Sequence, residues 1–111
     1  MDMHEEQVDR VTALSVKGRI DSTTSVTFGQ KLESFVAVPE GRVIVDFRDL
    51  DYISSAGFRV LLVAAKRAED VGSRMALCGL SPKVRQLFDL GGFLDLFLIA
   101  GSRDEAVAAV R

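Results

Sequence analysis

Cysteine and histidine are nearly missing from this 111-residue chain: it holds one of each, Cys78 and His4. An internal disulfide framework is thereby excluded, and so is a metal centre rich in either residue. Ser-His catalysis loses its base as well, because His4 lies in the N-terminal tail, far from any serine motif. The longest apolar stretches fall well short of the roughly 20 residues that a membrane-spanning helix needs. The start, Met1-Asp2-Met3-His4-Glu5-Glu6, is acidic and polar, unlike a secretory leader. A cytoplasmic location without membrane insertion is therefore expected. No positive surplus exists either: 14 lysines and arginines face 16 aspartates and glutamates, a net charge of -2. Direct nucleic-acid binding, which needs a basic surface, is not predicted. Neither a phosphate-binding P-loop nor a Gly-x-Gly-x-x-Gly turn occurs. Neither Ser54 nor Ser55 has the glycine two positions earlier that a nucleophile elbow requires. Together these absences predict a chain that is no enzyme and carries no cofactor.

What is present is an ordinary globular composition, 48% apolar and 27% charged. The length suits one domain over residues 1–111 with one core. Val11-Thr12-Ala13-Leu14-Ser15-Val16 reads as a strand ending at Gly18, and residues 3–8 as a short partner joined through Asp9-Arg10. Asp21 or Ser22 would open a helix carrying Phe28, Leu32, Phe35 and Val36, which ends before Pro39-Glu40-Gly41. Val43–Phe47 is a near-continuous apolar run, as in a strand covered on both faces. A loop, Arg48–Tyr52, leads to a second helix with Phe58, Leu61, Leu62 and Ala65 inside and Gly72 as its C-cap. Arg74–Gly79 reads as another strand, with Cys78 a packed core thiol. Ser81-Pro82 starts a third helix on Val84, Leu87 and Phe88, which Gly91-Gly92 stop. A last short strand is expected within Phe93–Ala100. The capping box Ser102-Arg103-Asp104-Glu105 then opens a C-terminal helix with Val107 and Val110 inside. Strands alternating with helices predict an α/β fold: one small mixed, largely parallel sheet covered by about four helices.

The informative junction follows the Val43–Phe47 strand. Two hydroxyls, Ser54 and Ser55, and two small residues, Ala56 and Gly57, stand directly before a long helix. In open α/β sheets functional groups gather at this edge. A helix N-terminus also offers unpaired amides to a phosphoryl group. Serine is equally a preferred N-cap, so the pair also reads simply as a cap and its neighbour. Asp21 has the same double reading, as a cap or as part of a contact surface. Arg59, one turn into the helix, either meets an acidic partner or faces water. Lys83 and Arg85 read as a solvated face.

The run Asp46-Phe47-Arg48-Asp49-Leu50-Asp51-Tyr52-Ile53-Ser54-Ser55-Ala56-Gly57-Phe58-Arg59-Val60-Leu61-Leu62 resembles the hallmark segment of STAS-domain anti-sigma factor antagonists. Gly18-Arg19-Ile20-Asp21 upstream and Leu80–Gly92 downstream match the same family in the same order. The resemblance implies a STAS fold and a partner-switching regulator. When unphosphorylated, such a regulator binds an anti-sigma factor, often a GHKL-type serine kinase. That kinase phosphorylates the hallmark serine and so weakens the complex, and a PP2C-type phosphatase restores it. By position the acceptor is Ser55, two residues before the hallmark glycine. Ser54, where some relatives have aspartate, is then a secondary acceptor or the helix cap. The implied contact surface comprises Asp21, Ser54, Ser55, Ala56, Gly57 and Arg59.

Two rivals belong beside this reading. A response-regulator receiver would use Asp46 as acceptor, but it also needs an acidic pair after the first strand and a lysine after the last. The last strand here leads instead into Ala100-Gly101-Ser102. The other rival keeps the fold and changes the task, to a subunit of a lipid-transport ABC complex, a stressosome part or a regulator of secretion.

Overall fold

The computed structural model describes residues 1–111. β1 (Asp2–Val8) and β2 (Val11–Ile20) form the expected antiparallel hairpin. Its two turn residues, Asp9 and Arg10, have φ of 51° and 68°, the left-handed pair whose twist matches that of the strands. β2 does not stop at Gly18, as its sequence suggested. Gly18 takes φ 99° and the pairing register shifts between it and Arg19. Glycine marks an irregularity inside the strand here, not its end.

That irregularity lets one strand serve two neighbours. Thr12–Ser15 of β2 pair in parallel with β3 (Arg42–Asp46), and Gly18–Ile20 pair in parallel with β4 (Leu50–Ile53). All of β4 but Ile53 falls within the segment expected to be a loop. It is four residues long, with Leu50 and Ile53 buried and Asp51 exposed. Two acidic residues within five positions hide it from a reading by apolar pattern. β5 (Arg74–Cys78) pairs with β3, giving the order β1-β2-β3-β5 with β4 beside β2. All pairings except the hairpin are parallel.

Four helices complete the fold: α1 (Ser25–Val36), α2 (Ser55–Val71), α3 (Pro82–Leu90) and α4 (Arg103–Val110). α1 buries Phe28, Leu32 and Val36, whereas Phe35 is half-buried. On α2 the inner stripe is Gly57, Phe58, Leu61, Ala64 and Ala68, while Leu62 and Ala65 lie at its margin. Local signals set several ends as expected. Gly72 closes α2 at φ 75°, Ser81 accepts from the Val84 amide with Pro82 at the first turn, and Ser102 accepts from the Glu105 amide. The Glu105 carboxylate reaches back to the Gly101 amide instead of the Ser102 amide.

The strand expected within Phe93–Ala100 shrinks to a short 3-10 turn at Leu94–Leu96 and one bridge between Leu77 and Ile99. The aromatics explain this. Phe93 stacks on Phe58 at 4.3 Å between centroids, and Phe97 meets Phe88 at 6.0 Å. Anchored in the helix-side core, the segment cannot keep strand alternation.

α1, α2 and α3 bury one face of the sheet in a cluster of 18 residues that includes Phe28, Phe47, Phe58 and Phe88. On the other face α4 packs against a cluster of eight smaller residues, among them Ala13, Ala76 and Cys78. Cys78 is fully buried. Burial, with the Asp46 carboxylate beside it, pushes the thiol up to about 11.

Candidate functional site

The serine pair stands where β4 ends and α2 begins. Ile20 of β2 pairs with Ile53 of β4, and the Ser54 amide donates to the Ile20 carbonyl at 2.8 Å. Asp21 follows Ile20 directly, so β-pairing brings the Asp21 turn and the serine turn to the same sheet edge.

The two hydroxyls differ in their surroundings. Ser54 is the N-cap, in extended backbone, and its Oγ accepts from the Gly57 amide at 3.4 Å. Its carbonyl accepts the first helical bond, from the Phe58 amide at 3.0 Å. Ser55 is the first residue of the 17-residue helix and is exposed. Capping thus engages Ser54 and leaves the Ser55 hydroxyl to solvent, at the positive end of a long helix.

Ala56 is half-buried and Arg59 exposed. Gly57, which the family resemblance puts on the contact surface, is buried. A Cβ there would lie 2.6 Å from Ile53 Cγ1 and 2.8 Å from Ile20 Cγ2. Its missing side chain lets α2 settle onto the ends of β2 and β4.

Asp21 is half-buried, and its carboxylate closes a turn of its own. Oδ1 accepts from the Thr23 hydroxyl at 2.7 Å and from the Thr23 amide at 2.9 Å. It accepts also from the Thr24 amide at 3.2 Å. The Thr23 hydroxyl and amide hold this carboxyl below its ordinary value, so Asp21 is a fixed anion at neutral pH. α1 begins later than expected, with Thr24 at the N-cap position and no side-chain cap there. Asp21 shapes the turn that precedes the helix, and its carbonyl accepts from the Ser25 amide at 2.8 Å.

One neighbour of this edge was not legible in the sequence. The Arg19 guanidinium lies 4.4 Å from the centre of the Tyr52 ring, a contact created by the Arg19–Tyr52 pairing of β2 with β4. Its only signal is that an arginine and the single tyrosine flank the two halves of the motif. Asp46, the acceptor in the receiver reading, is 9% exposed. It accepts from the Arg48 amide at 3.0 Å and faces Arg103 at 3.5 Å. Lys83 and Arg85 are exposed on α3. No helix is long and apolar enough to cross a membrane.

The STAS domain family matches residues 3–106. BtrV of Bordetella bronchiseptica, provisionally named an anti-sigma factor antagonist, is 38% identical over 106 residues, covering 96% of this chain and 91% of its own. The structure of an anti-sigma factor antagonist from Mycobacterium paratuberculosis superposes with a TM-score of 0.87 at 23% identity, over 99% of this chain and 93% of that one. SpoIIAA, an anti-sigma factor antagonist, superposes in its unphosphorylated form at 0.77, with 24% identity over 99% of this chain and 96% of its own. Its phosphorylated form superposes at 0.70, with 23% identity over 99% and 100%. Sheet order, the serine turn and these likenesses agree, and the chain belongs to the STAS domain family.

Proposed function

We infer that the chain is an anti-sigma factor antagonist that works by partner switching, with Ser55 as its phosphoacceptor. The observation that carries this reading is the contrast within the serine pair: Ser54 is engaged as the helix cap, while Ser55 is exposed on the helix's first turn. The relationship to BtrV supports the class of protein. SpoIIAA, a protein of the same fold, exists in phosphorylated and unphosphorylated forms.

In this reading the unmodified edge, with Asp21, Ser54, Ser55 and Arg59, meets an anti-sigma factor that is also a GHKL-type serine kinase. Phosphorylation adds roughly -1.5 to -2 charges. The helix N-terminus tolerates them within the chain. Inside a tight interface that already contains the Asp21 anion, they meet repulsion and desolvation. A loss of about 2–5 kcal/mol, the scale of an unpaired interfacial charge, weakens binding by about 30-fold to several-thousand-fold. The fold need not change, and a PP2C-type phosphatase resets the switch.

Phosphosite mapping after co-expression with GHKL kinases encoded near this chain tests the assignment. Ser55→Ala is expected to abolish labelling and keep binding, and Ser55→Asp to weaken binding. Full labelling of Ser55→Ala would refute it. Recovery of an ABC ATPase and no kinase in a pull-down would favour the transport rival.

A further inference from the structure

α1 and α2 leave an apolar groove between them that the serine edge does not explain. Gly29 of α1 sits against Val60 of α2, with a notional Cβ 3.2 Å from Val60 Cγ1. Val63, which lines the groove, stands 59% exposed, and Val26, three residues before Gly29 on α1, stands 64% exposed. The groove holds about 350 Å³ and is rimmed by Gln30, Glu33 and Arg59. At its far end Glu33 is already paired with Arg67 at 3.3 Å. At the end nearer Ser55 the rim is Arg59, which is exposed and has no ion pair within the chain. A docked segment would therefore find apolar surface along the groove and one free cation beside the serines.

Ser55 and Arg59 are four residues apart on one helix. Such residues share a face with Cβ atoms about 5–6 Å apart. Helical side chains lean toward the N-terminus, a direction in which an arginine at position 59 can swing back from the groove rim toward the turn that carries Ser55. A phosphoryl group on Ser55 would lie within its reach.

We propose that Arg59 is the charge that reads the modification. An apolar segment of the partner kinase occupies the Gly29–Val60–Val63 groove, extends toward Val26, and places an acidic residue on Arg59. Phosphoserine at position 55 then captures Arg59 within its own helix, so the partner's acid loses its cation while gaining a dianion opposite. This rests on the reading of Ser55 as acceptor and adds the partner's chemistry and the means by which phosphorylation is sensed.

Two measurements test it. In the first, phosphoserine is installed at position 55 by genetic encoding and the phosphate is titrated by ³¹P NMR. Its midpoint is expected about 0.3 pH lower with Arg59 than in Arg59→Gln, with Arg59→Lys keeping most of the shift. Identical midpoints with arginine and glutamine would overturn the capture. In the second, affinity is measured for the kinase that labels the chain. Val63→Glu on α2 and Val26→Glu on α1 are each expected to weaken binding about tenfold or more and to slow labelling, with the thermal midpoint held. Unchanged affinity in both variants would overturn the docking. So would a dimer that sedimentation shows to be lost in them while kinase affinity stays, because the groove would then join two copies of this chain. Continued labelling of Ser55→Ala would sink the acceptor assignment. The ³¹P result needs no kinase and tells that failure apart from this one.

Discussion

The two faces of the sheet are held by different means. The face under α1, α2 and α3 is filled by large side chains, with Phe47 and Phe88 at 6.3 Å and Phe58 and Phe88 edge-on at 4.8 Å. Beneath α4 the residues are mostly alanine and valine, with Ile44 the largest, and small side chains let the short helix sit close. Charge completes that face. Arg103, at the start of α4, binds Glu6 of β1 and lies 3.5 Å from Asp46 of β3. The difference bears on function because the serine turn belongs to the heavy face. Its capped and packed start of α2 holds the Ser55 hydroxyl at a fixed position, which in the proposed reading lets a modification change the surface and not the fold.

Truncation of one large residue on each face gives the strongest test. Phe88→Ala is expected to cost about 3–5 kcal/mol, whereas Val107→Ala under α4 should cost about 2 kcal/mol. Urea unfolding monitored by circular dichroism checks both, and equal losses would break the contrast. Next comes Gly57→Ala, which pushes a methyl group into Ile53 and Ile20. It should destabilise by about 1–3 kcal/mol and disturb the serine turn, seen as shifted amide resonances at Ser54 and Ser55. A fully stable Gly57→Ala with an unmoved turn would show that close seating of α2 is not required.

A smaller effect separates the two serines. Ser54→Ala removes the cap and should cost about 0.5–1 kcal/mol; Ser55→Ala removes an exposed hydroxyl and should be within about 0.5 kcal/mol of wild type. The reverse order in thermal melts would contradict the cap assignment. The smallest effect concerns the light face. Arg103 holds the Glu6 carboxyl below its ordinary value, first by hydrogen bonding and then by charge. A depressed carboxyl contributes stability above its unfolded value and loses it as pH falls through the folded one. The β1–α4 contact should therefore loosen below about pH 4.5, while the heavy face keeps its amide protection. Hydrogen exchange at Glu6 and Arg103, compared with Arg103→Gln, measures this. An Arg103→Gln profile identical to wild type would remove charge from the account of this face.

Much of this was legible because it is local. The caps at Ser54, Ser81 and Ser102 bond to amides three residues ahead. Asp9-Arg10 could be read as a turn between two strands for the same reason. The serine run was legible as a helix start, and its flanking segments as those of a known family. Less could be seen where the partner is distant. β4 looked like a loop because its pairing is with β2, some thirty residues earlier. Phe93–Ala100 looked like a strand because its apolar residues do not announce that Phe58 and Phe88 will claim the aromatics.

By itself the sequence determined the hairpin, the four helices, three of whose starts or stops are set by local caps, and which short run carries the two hydroxyls. Each depends on backbone and side-chain bonds that span a few residues. Only the tertiary structure decided how each hydroxyl is placed. Ser54 became the cap and Ser55 the exposed group once β4 was pinned to β2 and α2 was seated through Gly57. It likewise brought Glu6 to Arg103, 97 residues away. Such contacts arise from packing between distant segments, whose energies no local pattern encodes.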